Sequence, residues 1–203
     1  MAESVTAFGP GSDEGVILGA DGRLRCRWAG SAPEYLDYHD TEWGRELRGD
    51  QALFERLSLE AFQSGLSWIT ILRKRDAFRA AFEGFDIERV ATFDEPDVHR
   101  LLADTGIVRN RAKIEATIAN ARAVLDLGEP FDELLWSFAP TPQRPAPRTL
   151  AEVAATTPES KAMAKELKRR GFRFVGPTTA YALMQATGMV DDHLTACWVR
   201  PGG

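Results

Sequence analysis

The chain has 203 residues, 44% of them hydrophobic and 27% charged, with a formal net charge of −5. That length allows a full core in one domain or two small halves, and the acidic balance argues against a generic basic nucleic-acid coat while leaving a charged face possible. No apolar run approaches the roughly 18 residues of a membrane span, and Met1 to Gly22 lacks the basic start and apolar stretch of a secretion signal, so the chain reads as cytoplasmic, without a membrane partner, with residues 1–24 as a flexible tail.

Helix signals dominate from there. Ser31-Ala32-Pro33-Glu34 has the spacing of a capping box and predicts a short helix carrying Tyr35, Tyr38 and His39. Asp50 is placed to cap a second helix with Leu53, Phe54, Leu57, Ala61 and Phe62 as its apolar stripe, ended by Gly65. Asp94 caps a helix to about Asp104, stopped by Gly106, and Arg109 to Leu127 has Ile114, Ile118, Ala121 and Leu125 at helical spacing. Phe131 to Phe138 is another short helix. Four prolines between Pro140 and Pro147 exclude helix or central strand. Thr149 to Glu152 again has capping-box spacing. Thr157-Pro158 opens a helix that Gly171 ends, Phe172 to Gly176 is a turn, and Pro177 opens a helix that Gly188 closes. With no strand alternation and no internal repeat, the fold class expected is all-α.

There are only two cysteines, Cys26 and Cys197, and three histidines. His39 follows Cys26 by thirteen residues, and His193 precedes Cys197 by four. If residues 193–197 are helical, imidazole and thiol share a face. Two cysteines and two histidines suit closed, tetrahedral zinc, which would clip the two ends of the chain together. The competing reading is a set of unconnected core side chains. His99, among Asp97 and Arg100, reads as a surface histidine.

Lys161, Lys165, Lys168, Arg169, Arg170 and Arg173 fall within thirteen residues, and Arg109, Arg111 and Lys113 form a second basic group. The basic helix ends at Gly171, and a turn with Gly176 leads into the next helix. Backbone N–H groups in such a turn, with a helix N-terminus behind them, suit a phosphate. An ordinary helical corner is the alternative.

Glu60 lies three residues after Leu57 and seven after Leu53, on the apolar stripe of its helix. Helix glutamates are usually solvated, but Trp28, Tyr35, Tyr38, Trp43 and Trp68 flank this one in sequence. Aromatic faces attract cations by about 0.5–2 kcal/mol, and a buried carboxylate needs a partner. Together they favour a flat, cationic, hydrogen-bonding ligand.

Taken together, these residues resemble the 3-methyladenine DNA glycosylase I family of bacteria. The matching stretches are CRW at 26–28, YLDYHDTEWG at 35–44, LEAFQSGLSWITIL at 59–72, GIVRNRAKI at 106–114, RGFRFVG at 170–176 and VDDHLTAC at 190–197, so the resemblance runs from Arg25 to Cys197. It implies a two-lobed helix-hairpin-helix glycosylase fold over residues 25–203, acting on alkylated double-stranded DNA; apart from the resemblance, the chain is expected to be a monomer and nucleoid-associated. It implies a structural zinc ion on Cys26, His39, His193 and Cys197, and Glu60 as the catalytic carboxylate. It further implies a base pocket of Trp28, Tyr35, Tyr38, Trp43 and Trp68, with Trp68 stacking, and a DNA grip by Arg173, Phe174, Gly176 and Thr178. The activity implied is monofunctional hydrolysis that releases free 3-methyladenine.

Three positions depart from the pattern. Arg27 stands where a small residue is expected, and bears on the edge of the zinc site. Asp191 replaces a frequent asparagine and reopens a catalytic role for an aspartate there. Thr178 occupies the place of the nucleophilic lysine of strand-cleaving relatives, which argues against strand cleavage. Broader alkyl-base excision and non-catalytic binding of damaged DNA are the rival readings. A zinc hydrolase is weaker, since four protein ligands leave no open position.

Overall fold

The computed structural model describes residues 15–200 of the chain. Among these, helix is the main element: α1 (Pro33–Thr41), α2 (Asp50–Gln63), α3 (Trp68–Ala81), α4 (Ile87–Thr92), α5 (Glu95–Ala103), α6 (Arg111–Leu125), α7 (Phe131–Trp136), α8 (Pro158–Arg169) and α9 (Pro177–Ala186). The Pro140–Pro147 segment is a loop, as its composition requires.

Two strands precede the helices. β1 (Val16–Leu18) pairs antiparallel with β2 (Leu24–Cys26), Val16 opposite Cys26 and Ile17 opposite Arg25. The expectation of a tail over residues 1–24 is therefore corrected from Gly15 onward, and its first fourteen residues lie outside the described ones. The all-α expectation is likewise corrected to a mostly helical fold with one small hairpin. Strands of three residues are too short to show a two-residue alternation, which is why the sequence did not reveal them.

The helix boundaries also differ in informative ways. Ser31 does not cap α1. It sits in a 3₁₀ turn over Arg27–Ser31, and its hydroxyl donates to Trp28 O at 2.7 Å. Gly49 is the residue before α2, and the Asp50 carboxylate accepts instead from the Asp132 N–H at the start of α7, at 2.8 Å. Thr157 caps α8 as expected, accepting from the Ser160 N–H at 3.1 Å. Leu125 is 53% exposed and not part of the core. Helices α3 and α4 went unpredicted. In α3 only Ile71, Phe78 and Ala81 are buried, so its apolar stripe is thin.

The core centres on α2, buried on nearly every side from Leu53 to Phe62. Phe62 packs on Phe78 of α3 at 4.7 Å between ring centroids, and Phe82 stacks on Phe85 at 5.3 Å. Lys113 of α6 donates to Phe62 O (2.8 Å) and Ser64 O (2.6 Å), closing the free carbonyls at the end of α2. Between α8 and α9, Phe172 stacks on Phe131 at 5.5 Å. Asn120 of α6 pairs with both backbone groups of Arg173, at 2.7 and 3.1 Å. The corner is therefore anchored to the core from two sides. Phe174 at its tip has φ 56° and is 42% exposed.

Candidate functional site

A helix buried on nearly every side has nowhere to send a charged side chain, and α2 buries two, Arg56 and Glu60, one turn apart. Arg56 finds partners: Nη1 donates to Tyr38 Oη at 2.8 Å and Nη2 to Glu42 Oε2 at 3.1 Å. Glu42 also accepts both guanidinium nitrogens of Arg75 on α3, at 2.5 and 2.7 Å. Burial opposes ionisation of Glu42, but Arg75 and Arg56 outweigh it and lower its carboxyl.

Glu60 has no such support. It is 5% exposed, and none of the hydrogen bonds or ion pairs among the described residues reaches its carboxylate. Burial pushes its pKa up to about 7, opposed only by the charge of Arg56.

The carboxyl faces a cavity of about 450 Å³ lined also by Trp28, Tyr35, Tyr38, Trp43 and Trp68, so all six residues singled out from sequence meet at one place. Trp28 meets Tyr35 and Trp43 edge-on, at 5.7 and 5.2 Å between centroids, and Tyr38 lies 5.6 Å from Trp68. The Tyr35 hydroxyl accepts from the Ile69 N–H at 2.9 Å, tying α1 to the start of α3. Trp68 Nε1 is buried without a partner.

Sequence reasoning missed Ser31, Gln63, Ala182 and Gln185 in the lining, and Arg56 behind it. Arg56 and Gln63 stand four before and three after Glu60, so helical spacing could have found them. Ala182 and Gln185 arrive from α9, and no local signal marks them. Asp191 is not in the lining. Its oxygens face His193 Nδ1 (2.8 Å) and Arg200 Nη1 (3.0 Å), so its occurrence in place of asparagine does not supply a cavity carboxylate.

A second cluster lies where the ends of the described chain meet. The ligand atoms of Cys26, His39 and Cys197 are all within 4.8 Å of one another, and these residues are buried. His39 Nε2 lies 3.4 Å from Cys197 Sγ. His193 is beside them, its ring 4.9 Å from that of His39, and its Nε2 is buried with no partner. Residues 193–197 are not helical. The Cys197 N–H bonds Leu194 O at 2.8 Å, so this stretch is a turn and the helical condition for a shared face is not met. The neighbouring Cys26 thiol lowers the pKa of Cys197, while Cys197 and burial push that of Cys26 up. The two buried thiols and the His39 imidazole are a donor set able to hold a metal ion. Arg27 is exposed.

The basic groups are partly neutralised. Arg169 and Arg170 pair with Glu166, and Arg170 also with Glu129 at 2.7 Å. Arg111 pairs with Glu95 and Glu115, and Lys113 is buried, so the second group makes no open patch. Arg173, Phe174, Gly176 and Thr178 are exposed at the corner between α8 and α9, and Lys168 near the end of α8 is exposed too. His99 is on the surface, 2.9 Å from Glu95, where its neighbours suggested it would be.

Residues 28–200 match the family model for methyladenine glycosylase. The chain is 48% identical over 182 residues to DNA-3-methyladenine glycosylase 1 of Escherichia coli K12, covering 88% of this chain and 97% of that protein. A crystal structure of 3-methyladenine DNA glycosylase I is similar at a TM-score of 0.84 and 49% identity, covering 87% of this chain and all (100%) of that one. The Staphylococcus aureus 3-methyladenine DNA glycosylase I, from a structural study of 3-methyladenine recognition, gives 0.82 at 35% identity, covering 87% and 96%.

Proposed function

From the premise that this chain belongs to the methyladenine glycosylase family, we propose that it repairs alkylated DNA by hydrolysing the N-glycosidic bond of 3-methyladenine. The observation that carries this reading is the unpaired Glu60 carboxyl facing an aromatic cavity. Methylation at N3 gives the adenine a positive charge, and such a base supplies the counter-charge that burial denies Glu60.

A base inside a duplex must leave the stack before a pocket can read it. Glu60 hydrogen-bonds the edge of the extruded base, Trp68 stacks on its face, and Tyr35, Tyr38, Trp28 and Trp43 complete the box. The charged base is already a good leaving group. When the glycosidic bond breaks, its electron pair passes to the base and cancels the charge. Water adds to the sugar carbon and loses a proton, leaving an abasic site and free base. Orientation and discrimination are the protein's main task. None of the cavity-lining residues is a lysine, and Thr178 stands exposed at the start of α9, which supports hydrolysis without strand cleavage.

The α8–α9 corner is the DNA grip, a helix-hairpin-helix in which Arg173, Phe174, Gly176 and Thr178 meet the backbone of double-stranded DNA. The chain works as a monomer, with residues 25–203 as the glycosylase domain in two lobes, and with the chromosome in the cytoplasm. No helix among the described residues is long and apolar enough to cross a membrane. Cys26, His39, His193 and Cys197 would hold one zinc ion, a reading supported by the orphaned Nε2 of His193 beside two buried thiols. With four protein ligands, zinc would supply a structural cross-link and no reacting water.

The test is chromatography of bases released from methylated duplex DNA by wild type and Glu60→Gln, with metal content measured on both. Release of 3-methyladenine by wild type, strongly reduced in a variant with unchanged metal content, is expected. Equal release by the variant removes Glu60 from the mechanism, and no release by folded wild type leaves a binding protein.

A further inference from the structure

Two chains of polar contacts, one from each end of the described chain, end on the neighbouring rings of His39 and His193. On the first, Arg25 of β2, 4% exposed, donates Nε to both oxygens of Asp40 at 2.9 and 3.0 Å and Nη2 to Oδ2 at 2.8 Å. Asp40 Oδ1 lies 2.8 Å from His39 Nδ1. Asp21, in the β1–β2 turn, holds the far side of the Arg25 guanidinium at 2.7 and 2.6 Å. On the second, Arg200 Nη1 lies 3.0 Å from Asp191 Oδ2, and Asp191 Oδ1 lies 2.8 Å from His193 Nδ1 while accepting from the His193 N–H at 3.1 Å. The order is the same on both sides: guanidinium, carboxylate, imidazole.

A neutral imidazole carries one proton. A carboxylate facing Nδ1 draws the proton there, since two lone pairs would repel, and so leaves the lone pair on Nε2. In both histidines Nε2 is the nitrogen turned away from the carboxylate: for His39 it lies near Cys197 Sγ, and for His193, whose ring is 4.9 Å from that of His39, it is buried without a partner. A free carboxylate so close to a cation would itself compete as a ligand. The arginines occupy its other lone pairs and fix its plane, which fixes the ring plane in turn.

We propose that Arg25–Asp40 and Arg200–Asp191 are paired positioning clamps that preset His39 and His193 as Nε2 acceptors for a metal ion. The inference rests on the metal reading above for its ligand. The tautomers themselves are observable without metal.

The test uses the full chain as wild type, Arg25→Gln, Arg25→Lys and Arg200→Gln, stripped of metal and reloaded with zinc. Long-range ¹H–¹⁵N spectra of the metal-free wild type are expected to show Nδ1–H and bare Nε2 on both rings. Each glutamine variant is expected to mix tautomers on its own histidine only. Competition with a chromogenic chelator is expected to show zinc held about 10–100-fold more weakly in each glutamine variant, with Arg25→Lys between that and wild type. A purely structural role would leave the tautomers alone. Nε2–H rings in the metal-free wild type, or zinc affinity unchanged in both glutamine variants, overturn the clamps. Wild type that keeps both Nε2 atoms bare but takes up no zinc refutes the metal reading and still supports the preset tautomers.

Discussion

Arg56 Nη1 donates to the Tyr38 hydroxyl at 2.8 Å, and this bond joins the wall of the aromatic cavity to the ion network behind it. The acceptor role fixes the Tyr38 oxygen, and the guanidinium also lies 5.7 Å from the Trp68 ring centroid. One buried cation thus steadies two aromatic walls and supplies the positive charge felt by Glu60.

Removing that cation leaves Tyr38 without its donor and takes away the positive charge that opposes the effect of burial on Glu60. Arg56→Met is expected to lose about 3 kcal/mol of stability, the scale for breaking a buried ionic network. Its pH midpoint for base release should move upward, because nothing then opposes the burial of Glu60. Denaturant titration and a pH–rate profile check both. A stability loss within about 0.5 kcal/mol, as for an ordinary surface change, would contradict the network's role.

Glu60 makes stability depend on pH. Its pKa is 4.5 as an ordinary glutamate and about 7 in the fold, so between those values the folded chain binds the extra proton and stability falls as pH rises. The penalty is absent below about pH 4 and complete above about pH 8. Glu60→Gln is therefore expected to be more stable than wild type by roughly 3 kcal/mol at pH 8, and equal to it near pH 4. Urea melts at the two pH values give the difference directly, and a variant less stable at pH 8 would refute it.

Catalysis should run the other way. A cationic base is matched by the ionised carboxylate, so kcat/KM on methylated DNA is expected to fall about tenfold per pH unit below 7 and to level off above it. Glu60→Gln should flatten the profile and lower the plateau by about 10–100-fold, the scale of a lost hydrogen bond between charged groups. An unchanged acid limb in the variant would assign the titration to another group.

Gly44 has φ +75°, and a Cβ there would lie 2.6 Å from His193 Cε1. Gly44→Ala combines a left-handed backbone, costing about 1–2 kcal/mol, with pressure on that imidazole. The expected outcome is a lower melting temperature together with faster metal loss to a chelator. Full metal retention would show that the ring has room to move.

At the α8–α9 corner, Arg173→Ala is expected to weaken binding to damaged and undamaged duplex alike, and to reduce the slope of log affinity against log salt by about one. Fluorescence anisotropy across a salt series measures it. An unchanged slope would place the phosphate contact elsewhere.

Helices with a wide apolar stripe or a strong cap, such as α2 for the first and α8 for the second, were legible in the sequence because spacing and capping are local. So were the six cavity residues, the cysteines and the histidines, as residue types set among apolar neighbours. Tertiary structure alone decided three things. The β1–β2 hairpin and α3 carry patterns too short or too thin to read. Ala182 and Gln185 reach the cavity only because α9 folds back on α2, more than a hundred residues away along the chain. The basic residues read as patches were sorted by partners no spacing rule supplies: Arg169, Arg170 and Arg111 into ion pairs, Lys113 into the core, Arg173 to the open corner. A sequence fixes what a side chain can do, while burial and the charges brought beside it by distant segments fix what it does.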